Sequence, residues 1–284
     1  MVDSVEMQDI RGLDIDKMVK GFALTEYIFK NLVTVSSTTG DSIRWYQETA
    51  ADLTTTQPQQ IETSPLSSFP NLEVTWTRQV SYPRKYAVSG FISREDIKSA
   101  DIDVLARSIL RLTRAVVKKV DRRIYDVLTD SQTPATIQTG AASAVWSSAA
   151  ATIIGDIMSG VQAIQQYDYD TSGYIIAMTP KNHKEMMQYL IETKGSSIPG
   201  FSSDAVNNSM ITGILGGRVV VSNNVVADSV FVGLPAKAVT WKSFEDIHAE
   251  TEEVKGVGTK ILIWENGEAI LTDPKASYLI TNTD

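Results

Sequence analysis

The 284-residue chain contains no cysteine and only two histidines, His183 and His248. Without thiolates, disulfide bonds, cysteine nucleophiles and sulfur-based zinc sites are excluded. The two histidines do not form an H-E-x-x-H pattern. We expect His183, near a predicted helix start, to act as a cap or face solvent. We expect His248, in an alternating strand, to face outward.

Other signatures of chemistry are also missing. Neither a G-x-x-x-x-G-K-[ST] nor a G-x-S-x-G pattern occurs, and Lys255–Lys260, KGVGTK, is better explained as a tight hairpin turn. The chain has no signal-peptide pattern and no apolar run of eighteen residues, so no membrane span is predicted. An acidic group is typical of a solvated strand rather than of a cation site; it comprises Glu245, Asp246, Glu250, Glu252 and Glu253. We therefore predict no catalytic, cofactor-binding or metal-binding residues and no enzyme activity.

Positive charge is scarce overall but concentrated in one segment. The formal net charge is −8, which argues against a surface that coats nucleic acid. Yet Arg107–Arg123, RSILRLTRAVVKKVDRR, carries seven basic residues and one acidic residue. At about 100° per residue the apolar side chains fall on one face. A basic stripe falls nearly opposite and comprises Arg107, Arg111, Arg114, Lys118 and Arg122. A neighbouring subunit, DNA and solvent are its three candidate partners.

The order of predicted elements indicates an α+β chain with discontinuous domains. An amphipathic helix is predicted over residues 10–31, and a long helix runs from the candidate N-cap Ser93 to about Thr129. Between them, a segment rich in Thr, Gln, Ser and Pro lies between two strand-like stretches, which favours a projecting hairpin. Helices and strands alternate in the middle of the chain, and strand-like runs dominate its C-terminal part.

Three motifs in this order carry a resemblance to a known family. They are S-R-E-D at Ser93–Asp96, G-G-R-V-V-V-S at Gly216–Ser222 and D-P-K-A at Asp273–Ala276. With the hairpin and the long helix, this ordered set resembles the major capsid protein of tailed bacteriophages and their archaeal relatives. The resemblance covers nearly the whole chain and implies the HK-ninety-seven-like capsid fold.

The resemblance implies a domain plan. Residues 1–34 would form an N-terminal arm, and residues 35–80 an extended loop hairpin. A peripheral domain would comprise residues 81–130, with the long helix as its spine, together with residues 239–269. An axial domain would comprise residues 131–238 and 270–284.

The resemblance also implies a function. The chain would self-assemble into the pentamers and hexamers of an icosahedral virion shell around double-stranded DNA, without a cofactor and without a membrane. It would assemble in the host cytoplasm, with a separate scaffolding protein, a portal and a decoration protein as further partners and unspecific contact with the packaged DNA. An encapsulin-like shell around a cargo enzyme and an unrelated α+β binding protein are the alternatives.

Some members of this family crosslink a loop lysine to a neighbouring subunit. Between Trp45 and Thr77 this chain has no lysine or arginine, so its loop cannot supply the nucleophile. We therefore predict a shell without covalent crosslinks. The loop's acidic residues would contact a neighbour instead; these are Glu48, Asp52, Glu62 and Glu73.

Overall fold

A computed structural model describes residues 6–47, 64–68, 77–93, 95–96, 104–130, 137–192 and 213–284. The chain forms two compact units. The first unit combines Met1–Ile43, Ser81–Tyr125 and Thr240–Ile270, and the second combines Arg44–Val80, Asp126–Val239 and Leu271–Asp284. Each unit is therefore built from segments that are distant in sequence.

The elements are as follows. The helices are α1 (Glu6–Glu26), α2 (Val104–Leu128), α3 (Ile153–Gln165), α4 (Pro180–Glu192) and α5 (Pro235–Ala238). The strands of the first half are β1 (Thr34–Ser37), β2 (Ile43–Gln47), β3 (Thr77–Ser81), β4 (Arg84–Ser93), β5 (Gln138–Ala141) and β6 (Ile175–Met178). The later strands are β7 (Gly213–Ile214), β8 (Gly217–Val221), β9 (Ser229–Gly233), β10 (Val239–Val254), β11 (Gly258–Leu271) and β12 (Ser277–Thr281), with a 3₁₀ turn at Pro274–Ala276.

The first helix ends earlier than the sequence predicts. α1 stops at Glu26 rather than near residue 31. The backbone N–H groups of Ile28 and Lys30 instead donate to the carboxylate of Asp121 on α2, at 2.7 and 3.0 Å. The Asn31 side chain donates to the Tyr27 carbonyl at 2.7 Å. Since these partners replace helical hydrogen bonds, the chain turns away from the helix axis.

The first unit is built on a four-stranded sheet in the order β1-β10-β11-β4. β1 runs parallel to β10, and β4 pairs antiparallel with β11, placing Ser93 opposite Gly258 and Arg84 opposite Gly267. β10 and β11 are joined by the predicted hairpin turn, in which Gly256 has φ +79° and Val257 N–H donates to Val254 O. A positive φ suits glycine, which explains its place in this turn.

The long helix α2 covers one face of this sheet. A Cβ placed on Gly90 of β4 would lie 2.6 Å from the Leu112 side chain, so this side chain of α2 packs closely on the strand. Residues of the predicted apolar stripe are buried, including Ile109, Val120 and Ile124. The described helix begins at Val104, and residues 97–103 of the predicted spine lie outside the described residues. At its predicted start, Ser93 Oγ accepts a hydrogen bond from Asp96 N–H at 3.0 Å, as an N-cap does.

The second unit is built on a six-stranded sheet in the order β5-β12-β9-β6-β8-β7. β6 and β9 are buried along their whole length, as their continuous apolar sequences IIAM and SVFVG favour. Helix α3 packs on β9 and β12 around Gly160, where a Cβ would meet Tyr278 at 2.9 Å. A separate two-stranded ribbon joins β2 and β3.

Two local features complete this unit. The small-residue segment before α3 contains β5, which pairs parallel with β12. In the D-P-K-A motif, the Asp273 carboxylate accepts the Lys275 N–H at 3.0 Å and starts the 3₁₀ turn. Among the described helices, none has the length and apolarity needed to cross a membrane.

Candidate interaction surfaces

The basic stripe lies on the solvent side of α2. Arg107, Arg111, Arg114 and Lys118 are exposed, and Arg122 is half-buried. The helical periodicity that buries the apolar stripe thus turns these cations away from the sheet. The geometry leaves several positive groups available to a partner.

One member of the stripe is already paired within the chain. The Arg114 guanidinium contacts the Glu26 carboxylate at 2.7 Å, which joins α2 to the end of α1. This hydrogen bond and the charge of Glu26 raise the pKa of Arg114. By contrast, Arg107, Arg111 and Lys118 have no hydrogen-bond or ion-pair partner within the part of the chain that the structure describes.

Helix α2 also carries a buried carboxylate, beside Arg114 on the helix surface. Asp121 is 1% exposed and accepts the N–H groups of Ile28 and Lys30. Burial raises the pKa of Asp121 to about 6, although these hydrogen bonds act in the other direction. Asp121 therefore holds the turn after α1 against the long helix, and it does so with a group whose ionised form is disfavoured by its surroundings.

A second buried carboxylate holds the same turn from the sheet. Glu265 of β11 is fully buried; it accepts a hydrogen bond from the Tyr27 hydroxyl and contacts the Lys30 ammonium at 2.6 Å. The Lys30 ammonium also lies 4.6 Å from the Tyr27 ring centroid. Burial and the neighbouring Glu265 charge raise the pKa of Tyr27, so its hydroxyl remains a donor.

A third buried carboxylate, Glu268, binds two arginines. Arg123 of α2 contacts it at 2.6 Å and Arg84 of β4 at 3.0 Å. Burial raises the pKa of Glu268, and the two guanidinium groups oppose that change. Burial, with the charge of Glu268, raises the pKa of nearby Tyr86 to about 12. Three acids thus tie α1, α2, β4 and β11 together inside the first unit.

His248 is partly exposed between the buried Ile247 and Ala249, as the predicted alternation requires, but it also has partners within the chain. Its side chain does not simply face solvent: Nδ1 lies 2.8 Å from Asp16 of α1, and the ring packs edge-on against Trp264 at 5.1 Å. Asp16 also accepts the Ala249 N–H at 3.0 Å and contacts Lys20 at 2.6 Å. Burial pushes the pKa of Asp16 up, but these hydrogen bonds outweigh it and hold the pKa below its usual value. His183 lies in the first turn of α4 and is half-buried.

The remaining predicted residues divide into two sets. The acidic residues of β10 are exposed, and Glu252 lies 3.8 Å from Lys260. Among the described residues, no group of three or more acids and histidines is arranged to hold a metal ion. The four acidic loop residues, Glu48, Asp52, Glu62 and Glu73, lie outside the described residues.

Sequence reasoning missed the three buried acids, although a signal was present. Along β11, period-two alternation places Glu265 on the same face as Ile261 and Ile263, both of which are fully buried. On α2, Asp121 follows the buried Val120 and falls at the edge of the apolar face. An acid on a core face predicts a buried pair, because an isolated buried charge is too costly.

The buried network and the exposed stripe contain no arrangement of nucleophile and base. Comparison with known proteins identifies the family. The family model described as "Phage capsid protein" matches residues 79–279. The chain therefore belongs to the phage capsid protein family. No curated protein sequence matches it.

Solved structures show the same fold. A virus-like particle from Pyrococcus furiosus has a TM-score of 0.63 at 11% identity, covering 95% of this chain and 99% of that chain. The capsid of the Cyanophage P-SCSP1u has a TM-score of 0.64 at 16% identity, covering 90% and 88%. The capsid of an empty GTA particle has a TM-score of 0.63 at 12% identity, covering 91% and 90%. The predicted α+β, HK-ninety-seven-like capsid fold is confirmed.

The function class follows from the family. The chain is a structural protein of an icosahedral shell, and the encapsulin-like alternative is not favoured. Its family and structural neighbours are structural proteins rather than enzymes. The principal partner is another copy of the same chain, and the location that the family implies is the virion capsid.

Proposed function

We propose that this chain forms the pentamers and hexamers of a shell that encloses double-stranded DNA and assembles in the host cytoplasm. The observation that carries the proposal is the phage capsid family match over residues 79–279. Each subunit would contribute the same surfaces to every ring.

The domain plan is part of this proposal. The first unit would be the peripheral domain with α2 as its spine, and the second unit would contain the axial domain. The bounds remain those expected from the sequence: 1–34 for the arm, 35–80 for the loop, 81–130 and 239–269 for the peripheral domain, and 131–238 and 270–284 for the axial domain. Support comes from the two compact units, whose bounds at 239–240 and 270–271 lie close to these values.

The basic stripe would act between subunits. Three of its cations have no partner among the described residues, and the chain as a whole is acidic. Contact with the genome is the second candidate, because phosphate binding needs only Lys and Arg. Replacing Arg111, Arg114 and Lys118 with Gln distinguishes the subunit contact from the genome contact. Loss of shells supports the subunit contact, full shells with little DNA support the genome contact, and normal full particles contradict both.

The acidic loop would lie on a neighbour without a covalent bond. Its residues Glu48, Asp52, Glu62 and Glu73 would form repeated polar contacts, each contributing about 0–1 kcal/mol. Mature particles boiled in denaturing detergent should therefore give a single band near 31 kDa. A ladder of covalent oligomers would contradict the proposal.

Expression of the chain tests the function as a whole. The chain should give closed shells or rings of five and six subunits by electron microscopy and native mass measurement, alone or with a scaffolding protein. Portal and decoration proteins would join the same particle. A chain that remains monomeric under all these conditions would overturn the proposed function.

A further inference from the structure

A small open cavity lies in the first unit on the sheet face opposite α2. It has a volume of about 150 Å³ and is lined by Asp41, Pro83, Phe244 and Asn266. Tyr86 and Gly90 on β4 lie on the sheet face that α2 covers. Asn266 pairs with Lys85, whose side chain alternates to the other face, so Asn266 also lies on the face away from α2. Pockets for small-molecule ligands usually measure about 300–1,000 Å³, so this cavity fits the end of one side chain.

Local structure fixes the position of the lining residues. Asp41 lies on the bend between β1 and β2, and Thr38 N–H holds that bend to β10 by donating to Ser243 O at 2.7 Å. Phe244, the next residue of β10, is 42% exposed. Pro83 lies in the turn between β3 and β4 and has no backbone N–H to donate.

Two acceptors in the described lining of the cavity have no partner. The buried Asn266 Oδ1 has no hydrogen-bond partner, and the exposed Asp41 carboxylate has no ion pair within the described residues. Buried acceptors are normally satisfied, so the orphaned oxygen indicates a missing group. An exposed aromatic ring beside a carboxylate and an amide oxygen suits a planar cation with several N–H donors. A guanidinium group meets all three requirements.

Among the described residues, no cation lines this cavity. Lys85 is the nearest in register, but its ammonium lies 4.8 Å from the ring centroid of Trp264. The basic stripe points away from the sheet on the far side of α2, so its own arginines are separated from the cavity by the helix and the sheet. Arg111 belongs to that stripe, is exposed and has no partner among the described residues.

We propose that the cavity receives the guanidinium group of Arg111 from a second copy of this chain. Each subunit then carries the donor on one side of the first unit and the receptor on the other. Such a head-to-tail contact closes into a ring when the rotation fits, as capsomers require. The inference rests on the proposed shell function and assigns a specific contact within it.

Charge reversal tests the contact. Asp41→Arg and Arg111→Asp should each raise the subunit concentration needed for assembly by about tenfold or more, and the combined variant should recover most of that loss. Glu245→Arg, an acidic position next to Phe244 outside the cavity, is the matched control and should assemble like the wild type. Urea unfolding of unassembled subunits verifies the fold. If a charge-reversed variant misfolds, Asp41→Asn, Arg111→Gln and their combination replace the reversed variants in the same comparison.

A competing probe gives a second readout. Ethylguanidinium chloride should inhibit wild-type assembly more than ethylammonium chloride at equal ionic strength, and this difference should disappear in Asp41→Asn. Single variants that assemble normally, or a combined variant no better than the worse single variant, would overturn the contact while leaving the shell function intact. Failure of the wild type to assemble would instead count against the proposed function.

Discussion

The two sheets of this molecule are buried in different ways. In the second unit, β6 and β9 are buried at every position, and their side chains are almost all apolar. In the first unit, β4 alternates: Ile92 is buried beside Phe91, which is 51% exposed. The two central strands of the second sheet are therefore covered on both faces, whereas the edge strand β4 of the first sheet is covered on one face and open on the other.

This difference separates stability from association. In the first unit, three buried acids hold the turn after α1, the long helix and the sheet together. Its open face and the outer side of α2 carry the side chains that have no partner in the described chain. A shell protein needs such surfaces, because its neighbours complete them.

The largest expected effect is a core truncation in the second unit. Phe231→Ala removes a ring that is 1% exposed on β9, and it should lower the free energy of unfolding by about 3–5 kcal/mol. Urea unfolding of unassembled subunits measures it. A chain with two units need not unfold in one step. Hydrogen exchange at Ile175–Met178, on the strand paired with β9, should therefore be measured to follow the unfolding of the second unit by itself.

The matched substitution in the first unit is Phe91→Ala. Its half-exposed ring contributes little to the isolated subunit, so we expect a change within about 1 kcal/mol. Equal losses for the two phenylalanines would contradict the comparison between the sheets.

A smaller but still large effect is expected at the buried network. Glu265→Gln keeps the side-chain volume but leaves the Lys30 ammonium without a counter-charge in a buried position. Breaking a buried pair from one side costs about 3–5 kcal/mol, and partial exposure of Lys30 puts this case near the lower value. Glu252→Gln is the control, since that exposed pair contributes about 0–1 kcal/mol. A silent Glu265→Gln would show that the acids do not stabilise the first unit.

Much of this fold could be predicted from the sequence, but the network could not. Periodicity placed the faces of α2 correctly, and continuous apolar runs marked β6 and β9. The predicted end of α1 was wrong because the chain after the helix is held by Asp121, 93 residues away in sequence from Ile28. Local propensity contains no information about such a partner. The cavity near Asp41 depends on four segments meeting and has no sequence signature of its own.

The pH dependence of stability should report Asp121 specifically. Its pKa in the folded chain is raised to about 6 from the ordinary 3.8, so the folded state binds the proton more tightly. Its favourable contribution is complete below about pH 4 and is lost as the pH rises through about 6. Since one pKa unit corresponds to about 1.4 kcal/mol, the loss is at most about 3 kcal/mol. Asp121→Asn should lack this slope in urea unfolding between pH 4 and 7. Parallel profiles for both proteins would contradict the role of burial at Asp121.

The smallest effect on the free energy of unfolding is expected from substitutions in the exposed basic stripe of α2. Arg111→Gln combined with Lys118→Gln removes two cations that have no partner in the described chain, so the free energy of unfolding should change by no more than about 0.5 kcal/mol per site. The same variant should assemble poorly if the stripe binds a neighbouring subunit. Lys17→Gln combined with Lys119→Gln removes equal charge from exposed positions outside the stripe and should assemble normally. If the variant with both Arg111→Gln and Lys118→Gln unfolds easily, these two cations stabilise the isolated subunit. Equal assembly defects in both variants would indicate a response to net charge rather than to a specific contact.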